Sequence, residues 1–203
     1  PVLNIIFTSG STGTPKGVLV PHGGLVALCW NLATKVYGDP CGCEDVFAQV
    51  AGAAFDAFGF EVWPGLFVGA AVDFAPEAAK VDPGALCAWL RRSRVTVAFV
   101  PTALLELVLK LEKGRGFDSC PALRTAHTGG DALHRGLPDH LLGSLKLLNE
   151  YGPTEATIAC AAFNVGGGLD APPIGKPLAL RRLFVVDTAN GKTLCPVGVP
   201  GEL

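Results

Sequence analysis

The sequence contains no methionine, even at position 1, and this absence implies a chain cut from something longer. Charge is sparse too: Asp, Glu, Lys and Arg make up 17% of the 203 residues, against 49% hydrophobic residues. A disordered chain needs the opposite balance, so this is a globular, interior-rich sequence. Its length suffices for one domain with a sizeable core. Neither sign of charge dominates, the formal net charge being -2. No basic excess points to nucleic acid, and no acidic tail points to a solvating arm. A membrane-spanning run is missing as well. The longest stretch free of charged residues, 17–34, is interrupted by Pro21, His22, Gly23, Gly24 and Asn31, which excludes a transmembrane helix. The N-terminus lacks the charged region, apolar core and cleavage site of a signal peptide. Cysteine is plentiful, but its metal-binding spacing is not there. Seven cysteines are an odd number, and the close pair Cys41 and Cys43 lacks the two-residue gap of zinc or redox motifs. Most sit among apolar residues, where cysteine behaves as a small hydrophobe. The expectation is reduced thiols in a cytoplasmic protein, with no structural metal. No internal repeat or linker is visible.

What the sequence does have is a dense loop at its start. Residues 8–17 read Thr-Ser-Gly-Ser-Thr-Gly-Thr-Pro-Lys-Gly, between apolar runs at 2–7 and 18–20 that look like strands. Gly10, Gly13 and Gly17 permit backbone angles closed to other residues and leave amide hydrogens accessible. Successive amides in such a loop can form an anion-binding nest. Thr8, Ser9, Ser11, Thr12 and Thr14 add hydroxyl donors, and Lys16 adds a mobile positive charge. The set suits a polyphosphate. A flexible linker has similar composition, but it needs neither a lysine after proline nor a strand on each side. A Walker A loop is excluded, because that motif needs Gly-Lys-Ser/Thr opening a helix.

Downstream, Leu25, Leu28, Cys29, Leu32 and Ala33 recur at helical spacing, with His22 as a helix-opening residue. The chain breaks at residues 40–42, and 46–54 read as a buried strand. Asp56 then follows apolar sequence, where an unpaired carboxylate is costly. It can cap a helix over 57–67 or serve as the anionic partner of a substrate ammonium. Asp82-Pro83 opens another helix, an N-cap followed by proline, with Leu86, Trp89 and Leu90 as its buried face. Residues 95–100 are β-branched and aromatic, hence a strand. Thr102 is placed to cap a helix whose face carries Leu104, Leu107, Val108 and Leu111, and Gly114 and Gly116 end it. Residues 123–128 form a strand running into Gly129-Gly130-Asp131. The next helical segment is broken by Gly136 and Pro138, and 146–149 is again a strand. Residues 183–186 look like a strand, and Asn190-Gly191 like a hairpin turn. Strands alternating with helices predict an α/β fold, a mainly parallel sheet covered on both faces. Loops after strand ends collect ligands in such sheets. One of them reads Asn149-Glu150-Tyr151-Gly152-Pro153-Thr154-Glu155, a tight turn exposing Tyr151, Thr154 and Glu155.

Three of these segments, in this order, resemble the adenylate-forming enzymes: acyl-CoA synthetases, luciferases and nonribosomal peptide synthetase adenylation domains. The phosphate loop looks closest to the peptide synthetase branch. Phe55-Asp56 followed by Glu61, Leu66 and Gly69 resembles the motif whose aspartate holds an amino acid's α-amino group in that branch. Pro-Ile-Gly-Lys-Pro at 173–177 and Gly-Val-Pro-Gly-Glu-Leu at 198–203 continue the likeness. The resemblance implies a fragment of the large N-terminal domain, partial over 1–203, without its N-terminal portion and the mobile C-terminal domain.

The resemblance also implies roles. Thr8, Ser9, Gly10, Ser11, Thr12, Gly13, Thr14 and Lys16 would hold the phosphates. Gly130, Asp131, Asn149 and Gly152 would join them around the nucleotide, with Tyr151 stacking on adenine. Thr154 would place its hydroxyl near the α-phosphate, and Glu155 would bind magnesium, with Lys16, Thr154 and Glu155 acting on the reacting groups. Asp56, Ala57, Phe60, Phe99, His127, Gly129, Glu150, Ile158 and Ala159 would line the acyl pocket. Phe60, Phe99 and Ile158 suit an apolar or aromatic side chain. His127 and Glu150 either pair with each other or admit one polar group, and His127 can equally be a strand-end histidine bonded to backbone. The implied activity joins an amino acid carboxylate to ATP with Mg2+ and releases pyrophosphate. The acyl group then passes to the phosphopantetheine thiol of a carrier domain, beside a condensation domain in the same or a partner chain. No nucleic acid or membrane enters the scheme. Rival readings are an acyl-CoA or aryl-acid ligase, which has no need of Asp56, and a non-catalytic nucleotide-binding remnant. The 203-residue chain alone is expected to have little or no adenylation activity.

Overall fold

The structure is a computed structural model that describes residues 1–9, 13–37 and 41–203. Strands β1 (Val2–Thr8) and β2 (Lys16–Pro21) form an antiparallel hairpin in which Thr8 pairs with Lys16. Helix α1 (His22–Asn31) follows and widens into a π turn over Leu32–Val36. The remaining strands build one seven-stranded sheet: β3 (Val46–Gln49), β4 (Ala71–Phe74), β5 (Val97–Phe99), β6 (Thr125–Gly129), β7 (Lys146–Tyr151), β8 (Ala161–Val165) and β9 (Lys176–Pro177). Their spatial order is β4-β3-β5-β6-β7-β8-β9. The first five run parallel, as expected from the strand–helix alternation. The last two joints are antiparallel.

Helices α2 (Phe58–Phe67), α3 (Pro83–Arg92) and α4 (Thr102–Val108) complete the frame. Side chains alternate across a strand, and here the alternation divides the interior in two. Phe47, Val97, Phe99 and Leu148 face a cluster built with Leu25, Leu28 and Phe60 of α1 and α2. Ala48, Ala98, Ala126 and Leu147 face the other cluster, built with Leu86, Leu90 and Leu105 of α3 and α4. Both faces are therefore covered, and the carboxyl ends of the parallel strands share one rim.

Several local expectations give way to tertiary contacts. Asp82 does cap α3, accepting from the Ala85 amide at 2.6 Å. Thr102 does not cap α4: its hydroxyl lies 3.1 Å from that of Thr128 and donates to the Gly129 carbonyl at 3.2 Å. Leu105 rather than Leu107 turns inward on α4, at 0% against 46% exposure. The strand expected over 46–54 stops at Gln49, because the next residues turn toward α2. Residues 183–186 contribute only the isolated bridges of Val186 to Leu194 and Glu202. The turn at Asn190-Gly191 is present, with both amides donating to the Asp187 carbonyl.

Candidate active site at the carboxyl rim of the sheet

The site is assembled around the turn that follows β7. Thr154–Ala156 forms a 3-10 turn, and strand β2 of the glycine-rich hairpin packs against it. Lys16 opens β2 and is exposed, as are Gly13 and Thr14. Gly10, Ser11 and Thr12 lie outside the described residues. From the other side, Asp56 reaches the same turn: its carboxylate accepts a 2.5 Å hydrogen bond from the Thr154 hydroxyl. Asp56 is half-buried and stands just before α2. It does not cap the helix, whose N-cap is Ala57 with no side-chain bond. Its carboxylate is thus aimed across the rim. A narrow recess beside it is lined by Leu3, Ile6, Val20, Leu25, Gly59 and Ile158.

The turn is held in an unusual backbone. Thr157 and Ile158 both have positive φ, 60° and 69°, which is unfavourable for β-branched residues. Such angles cost about 1–3 kcal/mol each and persist where the surroundings enforce them. Here the enforcement is visible. The Cys160 amide donates to the Tyr151 carbonyl at 2.8 Å, and Ile158 is buried. A Cβ on Gly152 would come within 2.6 Å of the Ala159 Cα and of the Ile158 carbonyl. Glycine is therefore the only residue type that lets the chain pass at 152. Gly24 of α1 and Gly59 of α2 make similar room, for Thr157 and Ile158.

On the outer side of this turn lies a cleft of about 420 Å³. It gathers Gly130, Asp131, Asn149, Tyr151 and Gly152, all expected around a nucleotide, together with His134. Tyr151 is 39% exposed, so its ring is available to a flat ligand. Asn149 braces the opposite wall, donating to the Pro173 carbonyl at 3.0 Å. Gly130 turns the chain at φ +88°.

On the inner side, Phe60, Phe99 and Glu150, three of the expected acyl-pocket residues, meet His127. Phe60 and Phe99 stack at 5.5 Å, and each meets the His127 ring edge-on. His127 is 1% exposed and bonds through Nδ1 to Glu150 Oε2 at 2.8 Å. Its Nε2 lies 3.3 Å from the Tyr37 hydroxyl. The backbone-bonded histidine is thus replaced by a side-chain triad, and the His127–Glu150 pairing is observed. Gly129 sits against Glu150, where a Cβ would meet the Glu150 carbonyl at 2.4 Å (too close for any other residue). Ala159 is fully buried in the same cluster, and Ala57 is partly buried against it.

Two contributors escaped sequence reasoning. Tyr37 lies 90 residues from His127 and carries no local signal. Glu61 was visible in the motif, but its partner was not. It is completely buried and accepts from the Gln49 side chain and the Ala51 amide, each at 2.9 Å. It therefore ties the end of β3 to α2 and fixes the loop carrying Asp56. Burial raises its pKa, against hydrogen bonds from Ala51, Val50 and Gln49 that lower it.

A family model described as "AMP-binding enzyme" matches residues 2–203. A linear gramicidin synthase from Brevibacillus parabrevis is 40% identical over 202 residues, covering 98% of this chain and 4% of that protein. Surfactin synthase subunit 2 of Bacillus subtilis (strain 168) is 34% identical over 200 residues, with 98% and 5% covered. The chain thus spans about one-twentieth of the length of these relatives. Among solved structures, the Vibrio cholerae adenylation domain AlmE, in complex with glycyl-adenosine-5'-phosphate, superposes with TM-score 0.80 at 26% identity, covering 95% of this chain and 36% of that one. The nonribosomal peptide synthetase FmoA3 in its AMPPNP-bound form gives TM-score 0.79 at 28% identity, with 92% and 20% covered. An artificially fused adenylation-PCP di-domain from Klebsiella oxytoca gives TM-score 0.76 at 25% identity, with 96% and 38% covered.

Proposed function

The chain belongs to the AMP-binding enzyme family, and from that membership we propose that it forms the substrate-holding part of an amino-acid-activating adenylation domain. The carboxylate oxygen of the amino acid attacks the α-phosphorus of ATP. The bond from that phosphorus to the bridging oxygen breaks, and pyrophosphate leaves with the bond's electron pair. The product is an aminoacyl-AMP. A carrier-domain phosphopantetheine thiolate then attacks the acyl carbon and AMP departs. The first step needs no protein nucleophile, only alignment and charge stabilisation.

In this reading Tyr151 stacks on adenine in the cleft with Gly130, Asp131, Asn149 and Gly152. Lys16 and the loop from Thr8 to Thr14 take the phosphates. Asp56 binds the α-ammonium, and Thr154 places its hydroxyl between that carboxylate and the α-phosphate. Phe60, Phe99, His127, Gly129, Glu150, Ile158, Ala57 and Ala159 receive the side chain. Magnesium fits the donor set. Glu155 is an exposed carboxylate one residue from the Thr154 hydroxyl. No cluster of three protein ligands exists among the described residues, as suits an ion that keeps waters and substrate phosphates. When bound, it would offset charge on the phosphates. Glu155 would hold it there.

The observation that carries the reading is the Asp56–Thr154 hydrogen bond. It joins a carboxylate suited to an ammonium to a turn that begins at the adenine-sized cleft. The test is amino-acid-dependent exchange of pyrophosphate into ATP by the complete adenylation protein carrying this chain. Asp56→Ala should lower that exchange at least a hundredfold and leave ATP binding within about twofold. That drop is consistent with the cost of unpairing a desolvated charge, roughly 2–5 kcal/mol. An unchanged rate, with activity toward fatty or aryl acids, would place the protein among ligases that do not read an ammonium.

A further inference from the structure

The carboxylate of Glu150 is only half used. Along β7 the alternation sends Leu147, Asn149 and Tyr151 to one face and Leu148 and Glu150 to the other. Glu150 therefore turns its carboxylate to the face of His127, Phe99 and Phe60, although the residue also borders the cleft beside Tyr151. Its side chain is 1% exposed. Oε2 takes the His127 Nδ1 bond at 2.8 Å, whereas Oε1 has no hydrogen-bond partner among the described residues. A buried carboxylate oxygen without a donor is costly, and such an orphan needs a reason.

The direction of the hydrogens sharpens the demand. Tyr37 is fully buried, and burial together with the negative charge of Glu150 pushes its pKa well up. The phenol keeps its proton, and its oxygen lies 3.3 Å from His127 Nε2. A carboxylate oxygen accepts, so His127 Nδ1 donates to Glu150 Oε2. The chain from Tyr37 through His127 thus reaches Glu150 at Oε2 alone and leaves Oε1 unsatisfied. What the pocket lacks is a donor for Oε1.

From this geometry we propose that the acyl pocket selects an amino acid whose side chain ends in a cationic nitrogen, an ammonium or guanidinium, which Glu150 Oε1 receives. The inference rests on the adenylation reading above and names the substrate class of that same pocket. The substrate would be gripped at both nitrogens, the α-ammonium at Asp56 and the terminal one at Glu150. Phe60 and Phe99 supply walls for the methylene stem. Their ring faces also tolerate cations. Glycine at 129 lets β6 lie directly against the Glu150 backbone, which holds that residue in place.

The test is a panel of pyrophosphate exchange with the complete adenylation protein, comparing lysine, ornithine and arginine with norleucine, leucine and phenylalanine. A site built around a buried polar partner rejects the analogue lacking it by large factors. At least one basic amino acid should therefore exceed norleucine roughly a hundredfold in kcat/KM. Glu150→Leu should reverse that ranking, and Glu150→Gln should fall between. The wild-type ranking stands by itself if a variant fails to fold. A wild-type preference for apolar amino acids overturns the inference and leaves the adenylation reading intact. So does a basic preference that Glu150→Leu leaves unchanged. No exchange with any amino acid overturns both.

Discussion

Asp56 and Glu61 sit five residues apart and do opposite work with the same functional group. Asp56 is half-buried and keeps its carboxylate at the rim, bonded to Thr154. Glu61 is fully buried and bonds inward to Gln49 and Ala51. Burial of Glu61 has a consequence for stability. Burial holds its pKa above the ordinary 4.5, despite the opposing hydrogen bonds. Below 4.5 folded and unfolded chains both bind the proton, and the carboxyl's contribution is fully present. As pH rises from there to the raised folded value, the unfolded chain releases its proton first, so stability falls. Above the folded value the contribution is flat. Urea midpoints measured from acid to neutral pH should therefore decline in the wild type relative to Glu61→Gln across that lower window. Parallel curves would mean that Glu61 ionises alike in both states.

The element that organises the site is β7 with the turn after it. In the proposed reading one strand serves two ligands, because consecutive side chains leave opposite faces: Tyr151 toward the cleft, Glu150 toward His127. The turn then doubles back into β8 through Thr157 and Ile158 at positive φ. Gly152 makes that passage possible, so Gly152→Ala forces the backbone at Ala159 and Ile158 apart. Overpacking of this kind costs about 1–3 kcal/mol, and here it falls on residues that also shape the cleft. The variant should lose that much in a urea titration and weaken nucleotide binding at least tenfold by calorimetry. Full stability with normal binding would show that the turn relaxes freely.

The same element shows what sequence can and cannot disclose. The motif letters from Asn149 to Glu155 were legible, because strand, glycine-proline turn and hydroxyl follow one another along the chain. Asp82-Pro83 was legible for the same reason, since a cap acts within one helical turn. Thr102 misled because its partner is Thr128, on another strand. Strand β8 was missed because Ala161–Val165 draws its order from antiparallel pairing with β7 rather than from its own short run. The triad of Tyr37, His127 and Glu150 was half legible: two members fell in recognised segments, and the third is supplied by the end of the first helical stretch.

At the scale of the molecule, the sheet separates the contents of its two faces and brings them together only at its carboxyl rim. In the proposed reading the adenine and amino acid subsites lie on opposite sides of the β7 turn, with only Gly152 and Pro153 between Tyr151 and Thr154, which touches Asp56. A ligand that spans both subsites forfeits translational freedom once rather than twice. A non-hydrolysable mimic of the aminoacyl-AMP should therefore stabilise the protein more than AMP and the amino acid supplied together at the same concentrations. Saturation near a hundred times Kd stabilises by about 2.7 kcal/mol. A domain of this size gains roughly 2–4 °C in Tm per kcal/mol. The mimic should thus raise Tm by about 5–10 °C, and the separate ligands by distinctly less. Asp56→Ala should bring the shift with the mimic down to the shift with AMP alone, because the cleft still takes the purine while the ammonium has lost its partner. Equal shifts for mimic and AMP in the wild type would mean that the two faces do not meet in one site, and the Asp56–Thr154 bond would then be an ordinary loop contact.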